Sequence, residues 1–420
     1  MSSPYLEVFR SPRVAAILVL GFSSGLPLAL TGSTLQAWLT VVGIDIRTIA
    51  WFSWIGIPYL LKFLWSPLLD RYVPPFLGRR RGWMLLTQIA LVLGIVAMGT
   101  ASPEDGIWIV GSFALWVALA SASQDIVVDA YRTDLLSANE RGMGAAVGVL
   151  GYRIAMLASG GLALVLADQI GWRSTYFLMA ALMGIGMLTS FLAPEPATPS
   201  DTPRTLADAV LAPLRDFFSR RGAVSLLLLI VLYKFGDALA GTLTTAFLIR
   251  GVGFDLTAVG VVNKWFGFAS LVTGALLGGL LMTNMSLYRA LLFFGVLQAI
   301  SNLSFAVLAW AGKSYALLVF TVAFENLASG MGTAAFVAFA MALCNHRFSA
   351  TQYALLSALA SLGRILFGPT TGELVALMDW GNFFVVTFFA ALPGLVLVWL
   401  LREEIAAVES ANSVPASARA

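Results

Sequence analysis

An all-α integral membrane protein with about twelve transmembrane helices in two six-helix bundles is the fold class that the sequence predicts. Three observations carry it. The chain is 59% hydrophobic and 11% charged, against roughly 25% charged residues in soluble domains, so no aqueous globule can hide its apolar surface. Apolar runs of about 20 residues recur along it, each long enough to cross about 30 Å of hydrocarbon as a helix. A single long polar connection, residues 194–222, divides those runs six against six.

In order, spans are expected near 13–40, 48–70, 82–101, 106–135, 141–167, 170–193, 223–249, 256–283, 287–311, 314–344, 348–377 and 379–401. The head "MSSPYLEVFRSPR" is not expected to be a signal peptide, because the apolar run behind it is too long and lacks a small-residue cleavage site. Span 1 closes on "GSTLQAWLTVVGID", Gly32 to Asp45. Span 2 carries Tyr59 and Lys62 and leads into "SPLLDRYVPPFLGRRRGW", with Asp70, Arg71, Gly78, Arg79, Arg80 and Arg81. Span 4 ends in "SASQDIVVDAYR", which sets Gln124, Asp125, Asp129 and Arg132 in an otherwise apolar run. Span 5 carries Arg153.

The connection after span 6 is proline-rich at first and should be extended there. Thr205 with Asp208 then reads as a capping box, and Leu206, Val210, Leu214 and Phe217 recur at helical spacing. A short amphipathic helix in the membrane interface is expected, its regularity limited by Pro213. Span 7 brings Lys234 and Asp237, then "GTLTTAFLIRGVGFD", Gly241 to Asp255, which repeats the outer end of span 1 with one residue inserted. Such a repeat in one orientation predicts two bundles related by an axis along the membrane normal; chance likeness of apolar helices is the alternative. Span 8 carries Lys264 and Trp265, span 10 Glu325 and Asn326, and span 11 Arg364 and Glu373. The expected organisation is thus a first bundle (1–193), the linker (194–222), a second bundle (223–402) and a cytoplasmic polar tail (403–420).

Arginine and lysine placement sets the orientation. Fourteen, among them Arg71, Arg79, Arg80, Arg81, Arg141, Arg289 and Arg402, lie on the side of the termini; four, Arg47, Arg173, Arg250 and Lys313, lie on the other. The positive-inside rule then puts both termini in the cytoplasm, and the net charge of +3 is mainly a topology signal, not a nucleic-acid footprint. A single cysteine, Cys344, excludes an intrachain disulfide, and a single histidine, His346, argues against a histidine metal site.

Ten ionisable residues fall well inside spans, away from their ends: Lys62, Asp125, Asp129, Arg153, Lys234, Asp237, Lys264, Glu325, Arg364 and Glu373. Spans 3, 6, 9 and 12 hold none at such depth. At about 2.5–3.5 kcal/mol each, facing lipid would cost on the order of 30 kcal/mol in total, more than most folds possess. They are therefore expected to face water or one another, where intramembrane charges carry function. Asp125, Asp129 and Arg132 share a helix face, as do Lys234 and Asp237; for Asp129–Arg132 and for Lys234–Asp237 a purely structural ion pair is an equal alternative. Asp125 has no basic partner within one turn of its own helix except through Asp129. It is thus the first candidate for a carboxyl that takes up a proton on one side and releases it on the other, with Asp129 as a coupling carboxylate beside it and Glu325 as the rival. Lys62, Arg153, Lys234, Lys264 and Arg364 suggest an anionic cargo, with Asp237 beside them. Gln124 and Asn326 suit hydroxyls or amides, and Tyr59 and Trp265 suit sugar rings.

The loop from Ser66 to Trp83 resembles the cytoplasmic signature loop of the major facilitator superfamily, with Ser66 where glycine is usual and a longer stretch through Pro74 and Pro75. In that family the loop latches the two halves, the aspartate facing a helix N-terminus and the arginines bridging to carboxylates; plain positive-inside topology is the alternative. The longer blocks "KFLWSPLLDRYVPPFLGRRRGW", "ASQDIVVDAYRTDLL", "LYKFGDALAGTLTTAFLIRGVGFDLTAVGVVNK", "MGTAAFVAFAMALCN" and "FSATQYALLSALASLGR" are similar to muropeptide permeases of the AmpG type, from about Pro4 to Leu401. The resemblance implies the facilitator fold, no cofactor beyond a proton gradient, and import of N-acetylglucosaminyl-1,6-anhydro-N-acetylmuramic acid and its peptides. That import would run by symport across the bacterial inner membrane, in a monomer. Peptidoglycan recycling and indirect control of β-lactamase induction would follow. A permease for acetyl-coenzyme A or another organic anion, a passive channel and a membrane-embedded enzyme are the alternatives. The last lacks a nucleophile and base at one depth.

Overall fold

The structure, a computed structural model, describes residues 12–104, 106–136, 141–196, 218, 222–344 and 349–413. Among these there is no strand, and nine helices are long and apolar enough to cross a membrane. Two of the nine, Val147–Leu192 (46 residues) and Ala358–Leu400 (43 residues), are twice the length a bilayer needs. Each is two rods. Gly171 (φ 79°) and Asp379 (φ 70°) leave helical geometry at the boundaries expected between spans 5 and 6 and between 11 and 12. With the expected second pass this makes twelve in rough terms.

That second pass departs from a continuous helix. Residues 46–71 form short pieces, Ile46–Trp51, Ile57–Leu61 and Ser66–Arg71, separated by two 3-10 turns that include Lys62. Pro58 and Pro67 stand at the first turns of the last two pieces, where proline is tolerated because those N–H groups lack intrahelical partners. Span 7 is also interrupted. Helix Ala223–Tyr233 ends at Lys234 (φ −98°, ψ 2°) and a second helix, Phe235–Ala246, starts after it.

The internal repeat has a backbone counterpart. Gly43 (φ 92°) and Gly253 (φ 89°) both end an outer half-span in the left-handed region that only glycine enters without strain. The residue inserted in the second copy falls within Phe247–Gly251, a π-helical turn, the usual way a helix absorbs one extra residue. Asp255 then caps the next helix by accepting from the Ala258 N–H at 2.6 Å.

The chain forms two compact units. One comprises residues 1–45, 54–201 and 255–264; the other comprises 46–53, 202–254 and 265–420. In the first, Val14, Ile17, Leu20, Met84, Val127 and Tyr131 form a buried cluster, and Gly21, Gly25, Gly148 and Gly151 let spans 1 and 5 touch backbone to backbone. In the second, Leu226, Tyr233, Phe294, Phe336, Phe339 and Val398 pack together, and Gly274 and Gly330 bring spans 8 and 10 equally close. Small residues at crossings are what dispersion-driven packing in lipid requires. Leucines as exposed as Leu276 (70%) and Leu377 (75%) are tolerable only against hydrocarbon.

The tail expected from 403 onward begins as a helix, Arg402–Ser413, whose Ile405 is fully buried in the second unit. The expected linker helix (205–217) and His346 lie outside the described residues.

Candidate functional site

In the first unit the fold gathers side chains from spans 1, 2 and 4 around Asp125. Lys62 Nζ lies 3.8 Å from Asp125 Oδ2, the Ser24 hydroxyl donates to Asp125 Oδ1, and the Tyr59 hydroxyl is buried beside Asp125, Thr31, Ser121 and Tyr152. The helix of Asp125 offers it no basic partner within one turn except through Asp129; the structure supplies one from another span, Lys62, which stands in a 3-10 turn. The arrangement holds a carboxylate against an ammonium that is itself 35% exposed, and such a pair can open. Asp129, one turn further, is taken by Arg132 at 2.9 Å and is largely exposed.

Gln124 does not join this cluster. It is fully buried and donates to Ser23 Oγ at 3.1 Å, with Gln88 of span 3 on the same hydroxyl at 3.4 Å, so it faces the interior of the bundle and is not placed to meet a cargo hydroxyl. Arg153 is exposed, its nearest side-chain partner being Met156.

The second unit has a cluster of its own, from spans 7, 9 and 10. Lys234 Nζ donates to Thr333 Oγ1 at 3.1 Å and lies 4.0 Å from Asp237 Oδ2. Asp237 accepts from Gln298 and sits beside Ser329, and Glu325 lies within electrostatic reach of Lys234. Ser24–Asp125 joins span 1 to span 4; Lys234–Thr333 joins span 7 to span 10. The two units thus share one contact between equivalent spans, with the charge on opposite partners.

The remaining predicted residues are less concentrated. Lys264 and Trp265 stand in a π-helical stretch, Val259–Phe266, and Trp265 is 47% exposed. Asn326 donates to the Val322 carbonyl of its own helix at 2.9 Å and packs on Gly267, which turns it away from the role expected of it. Arg364 is exposed. Glu373, expected inside span 11, pairs instead with Arg47 at 3.0 Å, and both are about half exposed, as befits a position two turns before the Asp379 break.

The predicted signature loop is tied down within the first unit. Arg80 pairs with Asp134 at 2.8 Å, nearly buried, and Arg81 donates to the Ser190 and Phe191 carbonyls. Glu195 accepts from the backbone N–H groups of Arg80 (2.8 Å) and Arg81 (3.1 Å), where helix Arg79–Thr100 begins after Gly78 (φ 81°). A carboxylate there satisfies orphan N–H donors and complements the helix dipole. Glu195 thus faces a helix start; the side chains of Asp70 and Arg71 lie outside the described residues, and Arg79 is half-buried. Glu195→Ala is expected to cost about 1–2 kcal/mol, read as a lower melting temperature in detergent with Glu195→Gln in between.

Sequence reasoning missed Ser24, Thr333, Gln298, Asp134 and Glu195. Gln298 alone carried a signal, a long polar side chain in a span of apolar ones.

A family model described as Major Facilitator Superfamily matches residues 17–367. The anhydromuropeptide permease of Escherichia coli (strain K12) is 55% identical over 406 residues, covering 96% of this chain and 83% of that protein. A putative transporter AmpG 4 of Rickettsia felis is 32% identical over 409 residues, covering 95% and 99%. Among solved structures, a D-xylose–proton symporter superposes with a TM-score of 0.72 at 11% identity, covering 92% and 97%, a likeness of fold alone.

Proposed function

The chain belongs to the major facilitator superfamily, within the anhydromuropeptide permeases, and on that premise we propose that it is a proton-coupled symporter. Its cargo is GlcNAc-1,6-anhydroMurNAc and its muropeptides, carried from periplasm to cytoplasm across the bacterial inner membrane by alternating access. Both termini face the cytoplasm, and the protein works as a monomer. It is not an enzyme and uses no cofactor; the proton gradient is the driving force.

The observation that supports this best is the Asp125 cluster, a carboxylate held by Lys62 and Ser24 within an apolar span. A charge is retained there at the cost of insertion only where it works. Asp125 is the proton carrier in this reading, with Asp129 and Glu325 as secondary carboxylates. Lys62, Arg153, Lys234, Lys264 and Arg364 attract the cargo's carboxylates in this reading, and Tyr59 and Trp265 stack on its sugar rings. One proton moving down 100 mV releases about 2.3 kcal/mol, enough to concentrate a cargo about 50-fold.

Proteoliposomes loaded at neutral pH and placed in acidic buffer test the proposal. Labelled anhydro-disaccharide should accumulate above its outside concentration, and a protonophore should reduce it to equilibration. Accumulation of acetyl-coenzyme A in its place, or uptake indifferent to the pH gradient, would overturn the reading.

A further inference from the structure

Span 9 carries its one charged residue, Arg289, in its first turn, and nothing above gives the rest of that span a part in transport. Yet Gln298, in helix Leu287–Ala311, is 4% exposed and reaches out of its own helix to Asp237. Its amide orientation is set by chemistry. A carboxylate only accepts, so the –NH2 group must face Asp237, and the same nitrogen lies 3.5 Å from Ser329 Oγ. The amide oxygen then lies against Gly332, where any side-chain carbon would collide with it. In the first unit a buried glutamine of span 3, Gln88, donates instead to a neutral group, the Ser23 hydroxyl, at 3.4 Å.

The consequence falls on Lys234. Its ammonium has three donors; Thr333 takes one, and Asp237 at 4.0 Å is beyond hydrogen-bond length although close in charge. Gln298 and Ser329 supply the hydrogen bonds that Asp237 would otherwise draw from Lys234. The carboxylate is thereby held back, neutralising the ammonium at a distance without closing onto it.

We propose that Gln298 is a positioning residue for anion recognition: by holding Asp237 away from Lys234 it leaves the Lys234 ammonium free to receive a carboxylate of the cargo. This rests on the transport reading above and adds to it the class of group recognised at Lys234 and the residue that keeps the site open.

The test uses energy-independent counterflow in proteoliposomes with two cargoes, the anhydro-disaccharide with its free lactyl carboxylate and the same molecule with that group converted to a carboxamide. Wild type should favour the carboxylate. Gln298→Leu should raise the KM for the carboxylate by about tenfold, the size of one hydrogen bond to a charged group, and leave the carboxamide KM unchanged. Gly332→Ala, which displaces the amide without removing it, should do the same more weakly. Gln298→Glu combined with Asp237→Asn restores an amide–carboxylate pair and should recover the carboxylate KM to within about threefold. A merely structural glutamine would shift both cargoes together, and that result, or no change in either, overturns the proposal while leaving the transport reading intact. Wild type that carries neither cargo overturns both.

Discussion

Asp125→Asn is expected to abolish concentrative uptake while the protein still inserts and still exchanges cargo. Accumulation driven by a pH gradient should fall at least about tenfold, to equilibration, because an amide cannot take up and release a proton and the 2.3 kcal/mol per 100 mV is no longer available. The substitution is nearly isosteric, and the Ser24 hydroxyl that donates to Oδ1 can donate equally to an amide oxygen. What changes is the charge facing Lys62 at 3.8 Å. Counterflow needs binding and reorientation but no net proton movement, so it should persist. Uptake and counterflow measured on one preparation therefore separate coupling from folding. Full accumulation in the variant would remove Asp125 from the proton path, and loss of counterflow as well would make its role structural. Asp129→Asn is the comparison. Its carboxylate is largely exposed and paired with Arg132, so its loss should reduce accumulation less than Asp125→Asn does.

The spans and the positions of the charges were legible in the sequence because both follow from the solvent: about 20 apolar residues per pass, and a penalty for every ion placed among them. What was not legible is which charges meet. Helical spacing says that Asp125, Asp129 and Arg132 share a face, but it does not say how that face is rotated toward spans 1 and 2. Ser24 and Lys62 were therefore not placed beside Asp125. The break at Lys234 had no proline to announce it. Pro58 and Pro67 stand at the first turns of the later pieces of span 2, which as an apolar run reads simply as one pass. Arg80 is a different case. The signature-loop resemblance implies that these arginines bridge to carboxylates, and the fold sets Arg80 nearly buried against Asp134, but the loop itself does not say which carboxylate it meets. Glu373 was placed by its distance from the helix ends, and only the turn at Asp379 shows that it lies where Arg47 can reach it.

Lys62→Met should destabilise the protein, and adding Asp125→Asn should restore much of what was lost. Removing one partner of a buried pair leaves the other without a counter-charge, at about 3–5 kcal/mol when both are fully enclosed. Here Lys62 is 35% and Asp125 14% exposed, so solvent screens part of that, and about 2 kcal/mol is expected for Lys62→Met. Methionine keeps the unbranched apolar stem, so the loss isolates the charge from the packing. In the double variant neither charge remains to be left alone, and the melting temperature in detergent should rise back toward wild type by more than the single effects predict, a coupling of about 1–2 kcal/mol. Transport should not follow stability: the double variant folds but lacks the titrating carboxyl, so uptake stays uncoupled as in Asp125→Asn alone. Strictly additive melting temperatures would mean that the two side chains do not act on each other. Recovery of concentrative uptake in the double variant would mean that the proton is carried elsewhere. Between them, the two readouts decide whether Lys62 is the counter-ion of a working carboxylate or only a cation near it.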